Sequence, residues 1–193
     1  MRLLARTRLT PDAISWTGFV LALGAAALII TAHPFAAGLV ILFAGFFDIL
    51  DGALARRLKK VTPFGGILDS TLDRLSEAAV LLAILVSFGW SPLLVLLVFL
   101  ALVGSLLVSY TRARAEAAGL ECQVGLFTRA ERVVVLALGL LLSHIEAPSK
   151  IFDFPGDPPI ALVIALAIIV VFSFFTFVQR LVYVWQQTRK TRK

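Results

Sequence analysis

Four aspartates stand where an apolar chain should carry no charge: Asp48 and Asp51 close one oily segment, and Asp69 and Asp73 open the next. Ionised side chains at membrane depth are costly and mark function by default. With their neighbours they read D-x2-D-G-x2-A-R-x8-G-x3-D-x3-D, eight fixed residues in a window of 26. Helical residues three or four apart share a face, so Asp48 with Asp51, and Asp69 with Asp73, each form a stripe. A short turn around Thr62-Pro63-Phe64-Gly65 makes the two helices antiparallel neighbours, and the stripes meet. Four converging carboxylates repel one another unless cations bind. Hard oxygen donors select Mg²⁺, Mn²⁺ or Ca²⁺, whereas Zn²⁺ prefers His and Cys; the only histidines are His33 and His144, both toward the opposite side. Two such ions about 3.5–4 Å apart can clamp a diphosphate and neutralise charge on a leaving group. Gly52 and Gly65 allow close backbone approach to a ligand, and Arg56 can grip phosphate oxygens with two parallel donors. Simple pairing with Arg56, Arg57, Lys59, Lys60 and Arg74 at interfacial helix ends would account for any one aspartate, but not for all eight positions together.

The elements that must hold this cluster follow from composition. The 193-residue chain is 60% hydrophobic and 16% charged, with a mean hydropathy of +0.96, too apolar to be covered by a water-facing surface. A membrane span needs about 20 residues. Breaks at His33-Pro34, at Gly89-Trp90-Ser91-Pro92 and in the Pro-rich stretch 147–159 divide the apolar runs into six helices, roughly 13–32, 35–58, 66–88, 92–118, 129–146 and 159–187. That reading gives an all-α integral membrane protein, one domain over 1–193, with both termini cytoplasmic. Charge tests the count independently: 17 of the 18 Lys and Arg residues fall on one side, with only Lys150 on the other, as cytoplasmic loops require. The net charge of +6 therefore reflects topology and contact with anionic lipid, and no nucleic-acid partner is expected. Met1 to Leu9 alternate arginines with leucines and are expected to lie on the inner surface as a short amphipathic helix. Cys122 is the single cysteine, so no intramolecular disulfide forms.

The aspartate string matches, position for position, the signature of the CDP-alcohol phosphotransferase family, and the chain resembles that family over essentially its whole length. The resemblance implies six transmembrane helices, commonly in a homodimer, in an enzyme of the cell membrane whose active site faces the cytoplasm. It implies attack of an alcohol on a CDP-linked lipid such as CDP-diacylglycerol, with release of CMP. It further implies that Asp48, Asp51, Asp69 and Asp73 hold two metals, Mg²⁺ or else Mn²⁺, with Asp73 also the catalytic base for the hydroxyl proton. A carboxylate at the metal site can reach that hydroxyl. Pro11, Asp12, Ala13, Ile14, Gly52, Arg56 and Thr62 become candidates for contact with cytidine and diphosphate, with Gly65 beside them. Where many relatives read Thr-Pro-Asn, this chain reads Thr10-Pro11-Asp12. Asp12 either accepts from the cytosine amino group or caps the first helix.

The signature leaves the acceptor open, and a second basic cluster addresses it. Ser109-Tyr110-Thr111-Arg112-Ala113-Arg114 ends the fourth helix, Arg129-Ala130-Glu131-Arg132 opens the fifth, and Arg180 lies on the sixth, all at the level of the aspartates. Planar guanidinium groups beside a metal site suit a second, anionic substrate, although arginines also anchor helix ends at headgroups. The S-Y-x-R-A-R-A-E-A-x-G-L and R-x-E-R stretches look like those of prokaryotic phosphatidylinositol-phosphate synthases. That likeness makes the acceptor a phosphorylated polyol, inositol 1-phosphate first. It makes Ser109, Arg112, Arg114, Arg129, Arg132 and Arg180 candidates for its phosphate. Glycerol 3-phosphate, giving phosphatidylglycerol phosphate, is the alternative. Glu116 and Glu131 are expected to pair with nearby arginines.

Overall fold

A computed structural model of the protein describes residues 11–45, 62–89, 91–143 and 158–191. The expectations for Asp48, Asp51, Gly52, Arg56 and the segment Met1 to Leu9 lie outside these residues. Within them the chain is all-helical, with six helices: α1 Pro11–Ile30, α2 Pro34–Gly45, α3 Pro63–Phe88, α4 Pro92–Ala117, α5 Arg129–Leu142 and α6 Ile160–Thr191. Three segments are long and apolar enough to cross a membrane, Asp12–Ile30, Pro92–Ala117 and Ile160–Arg189. The third helix carries Asp69, Asp73, Arg74 and Glu77, and that charge sets it apart from them.

Local chemistry sets most of the ends. Proline at the first helical position has no N–H to leave unsatisfied and a fixed φ suited to the helix, and Pro63 and Pro92 start α3 and α4 in this way. Their N-caps Thr62 and Ser91 accept from the Gly65 and Leu94 amides at 3.0 and 3.3 Å. Gly89 stops α3 with φ of 85°. At the end of α4, Gly119 takes φ of 75° while the Leu120 and Gly119 amides return to the carbonyls of Ala115 and Glu116, a Schellman closure that needs glycine at the left-handed position. The fifth helix opens on Thr128, whose amide donates to the Glu131 carboxylate at 2.7 Å. Glu131 thus caps its own helix, whereas Glu116 pairs with Arg112 as expected, at 2.8 Å.

The helices pack α1 along α3, α4 along α6 and α5 on α6. Ile29, Ile84, Leu94, Leu140, Leu162 and Leu166 are the largest fully buried apolar side chains in the core between them. Small residues permit close backbone approach where lipid offers no hydrophobic drive. A Cβ placed on Gly139 of α5 would stand 2.5 Å from the Cβ of Ala165 on α6. Alanine at a mid-helix glycine normally gains about 0.5–1 kcal/mol, but a methyl that cannot rotate out of such a contact costs about 1–3 kcal/mol. Gly139→Ala is therefore expected to lower the unfolding temperature in detergent, while Gly24→Ala, whose added Cβ meets nothing within 4 Å, should leave it level or raise it. A rise for Gly139→Ala would contradict this packing.

Candidate functional site

The site grows from the first turns of α1 and α3. On α3, Asp69 and Asp73 are separated by four residues and lie half-buried on one stripe. Ser15, one turn into α1, donates its hydroxyl to Oδ1 of Asp69 at 2.9 Å. Gly65 sits where the two helix starts meet: a Cβ there would be 2.9 Å from Oγ1 of Thr62 and 3.0 Å from Oδ1 of Asp12. Glycine is thus the residue that lets α3 begin against the Asp12 carboxylate. Asp12 lies within the first turn of α1, facing the start of α3. Ala13 and Ile14 are half-buried in the same turn as Pro11. The side chain of Thr62 is engaged as the α3 cap. The structure therefore gathers Asp12, Thr62, Gly65, Asp69 and Asp73 at one end of the α1–α3 pair.

The arginines divide by what they touch. Arg129, at the first position of α5, sets Nη1 2.8 Å from Oδ1 of Asp73, with side chains 30% and 24% exposed. This contact brings the second basic cluster onto the aspartate stripe. Arg112 and Arg114 are exposed on the last turns of α4, with Ser109 half-buried one turn earlier. Arg132 and Arg180, by contrast, are buried. Arg180 donates from Nε to the Val124 carbonyl at 2.8 Å and from Nη1 to the Val108 carbonyl at 2.6 Å. It thereby ties α6 to α4 and to the segment before α5.

That segment is held along its length by α6. The Phe127 amide donates to Thr176 Oγ1 at 3.1 Å, the Leu126 amide to Gln179 Oε1 at 3.3 Å, and Gln187 Nε2 donates to the Glu121 carbonyl at 2.9 Å. A helix of 32 residues is about 48 Å long, well beyond a hydrocarbon layer of about 30 Å. The polar end of α6 therefore reaches the irregular chain that links the two arginine clusters. Near its tip, Arg189 lies over the Trp185 ring, 4.1 Å from its centroid, a cation held on an aromatic face.

Two residues went unread in the sequence. Ser15 is one. The other is Glu77, which extends the stripe of Asp69 and Asp73 by one further turn into the apolar part of α3. Its carboxylate takes Arg132 on two prongs, Nε to Oε1 at 2.8 Å and Nη2 to Oε2 at 3.3 Å, and accepts from Ser105 of α4 at 2.5 Å. The four-residue spacing from Asp73 was the available signal.

The described donors suit a hard divalent cation: two carboxylates one turn apart, with a hydroxyl on one of them and no His or Cys beside them. Among the described residues no group of three or more metal-ligating side chains forms, and the other two expected ligands, Asp48 and Asp51, lie outside those residues.

The chain is similar to known proteins over nearly its whole length. A family model described as CDP-alcohol phosphatidyltransferase matches residues 8–185. An archaetidylinositol phosphate synthase of Methanothermobacter thermautotrophicus is 40% identical, over 95% of this chain and 87% of its own. A phosphatidylinositol phosphate synthase of Mycobacterium marinum is 39% identical, over 94% of this chain and 76% of its own. The crystal structure of the Mycobacterium tuberculosis phosphatidylinositol phosphate synthase with CDP-DAG bound superposes with a TM-score of 0.77 at 36% identity, covering 95% of this chain and 90% of that one. The same mycobacterial protein in complex with manganese and citrate superposes at 0.76, also at 36% identity, over 95% of this chain and 86% of that one.

Proposed function

Because the chain belongs to the CDP-alcohol phosphatidyltransferase family, we propose that it transfers the phosphatidyl group of CDP-diacylglycerol to a hydroxyl of inositol 1-phosphate, giving phosphatidylinositol phosphate and CMP. The observation that carries the choice of a phosphorylated acceptor is the contact of Arg129 with Asp73 at 2.8 Å, which sets a phosphate-binding group beside the proposed base. Asp73 takes the proton of the attacking hydroxyl. The new bond forms from that oxygen to the phosphorus carrying the lipid, and the bond from this phosphorus to the oxygen retained by CMP breaks. Asp12, Ala13, Ile14 and Pro11 on α1, with Thr62, Gly65, Gly52 and Arg56, form the side that receives cytidine and diphosphate. Ser109, Arg112, Arg114 and Arg129 form the acceptor side, with Arg132 and Arg180 behind them.

The enzyme is a metal-dependent transferase, and we assign two ions, Mg²⁺ or Mn²⁺, to Asp48, Asp51, Asp69 and Asp73. When bound, they supply the positive charge that clamps the diphosphate and stabilises departing CMP. The relative crystallised with manganese supports a divalent ion as the cofactor. The proposal includes six spans with both termini and the active site on the cytoplasmic side of the cell membrane, supported by the one-sided distribution of basic residues. A homodimer, common in the family, belongs to it as well.

The decisive experiment measures CMP release by the purified protein with CDP-diacylglycerol and a panel of inositol 1-phosphate, glycerol 3-phosphate and free inositol. Turnover with inositol 1-phosphate and little with unphosphorylated inositol is expected. Turnover with glycerol 3-phosphate alone would replace the acceptor, and equal use of free inositol would remove the role given to the arginines. An ether-linked CDP-lipid tested in parallel separates the two lipid classes represented among the relatives.

A further inference from the structure

Two ion-pair rungs join α3 to α5, and they differ in kind. The outer rung, Asp73 with Arg129, opens on the site. The inner rung, Glu77 with Arg132, lies one turn deeper on both helices, with side chains only 13% and 3% exposed. Its carboxylate is also fixed from α4 by the Ser105 hydroxyl. Nη1 of Arg132 is buried without a hydrogen-bond partner among the described residues. A buried ion pair is weak evidence for stability, since apolar side chains of similar volume often serve as well. The two-pronged geometry, however, fixes the register and rotation of one helix against another in a way that apolar contact does not. Arg132 follows Arg129 by three residues on α5, and Glu77 follows Asp73 by four on α3. The inner rung therefore stands one turn behind the contact of Arg129 with Asp73 on both helices.

We propose that Glu77 is a positioning residue for the acceptor side of the reaction, acting through Arg132. Gripped by Ser105 on α4, it holds the first turn of α5 so that Arg129 meets Asp73 and the acceptor phosphate is received in line with its hydroxyl. Arg132 serves as the handle of this device. The proposal rests on the transferase reading above and adds to it a residue that does not touch either substrate. Displacement of a catalytic constellation by about 1 Å is enough to cost about a hundredfold in rate, so a small rotation of α5 is sufficient.

The test uses the purified full-length protein. Glu77→Gln leaves a buried charge on Arg132 unanswered and is prone to misfold, so the informative variant is the double substitution Glu77→Leu with Arg132→Met, which removes both charges and keeps volume. Its unfolding temperature should stay close to that of the parent. With CDP-diacylglycerol and inositol 1-phosphate, kcat/KM for the acceptor should fall at least about tenfold while KM for the CDP-lipid stays within about twofold. Arg132→Lys, which keeps the charge and loses the two-pronged grip, should fall between. A second readout needs no turnover: binding of inorganic phosphate by calorimetry should weaken at least about tenfold in the double variant and should also weaken in Arg132→Lys, which keeps the charge. Loss in the double variant with parental affinity in Arg132→Lys would assign the effect to the Arg132 charge itself and overturn the proposal. Parent-like acceptor kinetics and phosphate affinity in a folded double variant would overturn the proposal. Equal loss toward both substrates would also overturn it, because it would show a general structural role. If the parent protein itself releases no CMP with any phosphorylated acceptor, the transferase reading fails, and the phosphate titration still decides the role of Glu77.

Discussion

Asp73→Asn is expected to lower kcat for CMP release by about a hundredfold to ten-thousandfold, the range that a well-placed general base supplies. Asparagine keeps the shape of the side chain and its capacity to accept a hydrogen bond from Arg129, so the first turn of α5 stays in place. What disappears is the negative charge. Without it the acceptor hydroxyl keeps its proton as the new bond forms, and one of the proposed cation ligands is weakened as well. Two measurements separate the losses. A metal-binding defect is relieved by raising the divalent-ion concentration, whereas loss of the base is not. A variant that releases CMP at the parent rate would end the assignment of Asp73.

Removal of divalent ions should abolish turnover, and added Mn²⁺ or Mg²⁺ should restore it. The same ions should raise the unfolding temperature of the parent protein, because a ligand that binds only the folded state stabilises it by mass action. The sign for Asp69 follows from its surroundings. Its partner in the described residues is a neutral hydroxyl, Ser15, while Asp73 stands one turn away on the same stripe. Like charges at that spacing are destabilising by roughly 0.2–0.5 kcal/mol. Asp69→Asn should therefore leave the ion-free protein as stable as the parent, or slightly more so, and should remove most of the ion-dependent rise in unfolding temperature. An ion-dependent rise of parental size in Asp69→Asn would show that Asp69 is not a ligand.

Much of the helical plan was legible before any coordinates. Pro92 marks its helix start through local chemistry, which needs no knowledge of the neighbours. The stretch Thr62-Pro63-Phe64-Gly65, by contrast, expected as a turn before a helix from 66, is the cap and first turn of α3 itself, and Glu131, expected to pair with an arginine, caps α5. The spacing of Asp69 and Asp73 likewise states that they share a face. Periodicity does not say which helix that face meets, and this is where the reading stopped. Arg129 and Arg132 look equivalent in R-x-E-R, yet their rotation about α5 sends one to Asp73 at the open site and the other to Glu77 in the interior. Arg180 was grouped with them by depth, but its guanidinium is occupied by two backbone carbonyls from segments 56 and 72 residues away. Ser15 and Glu77 drew no notice because a lone hydroxyl on an apolar helix, and a carboxylate beyond the end of a motif, acquire meaning only from a tertiary partner. The length of α6 was also underread: its last turns are polar and continue to Thr191, supported by contacts with a distant segment and not by an apolar pattern of their own.

Residues 121–127 carry no helix, yet their amides and carbonyls are bound by side chains of α6. An irregular stretch fastened in this way behaves as part of the rigid body: in deuterated solvent, the amide protons of Leu126 and Phe127 should persist on the timescale of the neighbouring helical cores. The segment that links the two arginine clusters would then keep one shape through the reaction cycle, with nothing of its own left to order when substrate arrives.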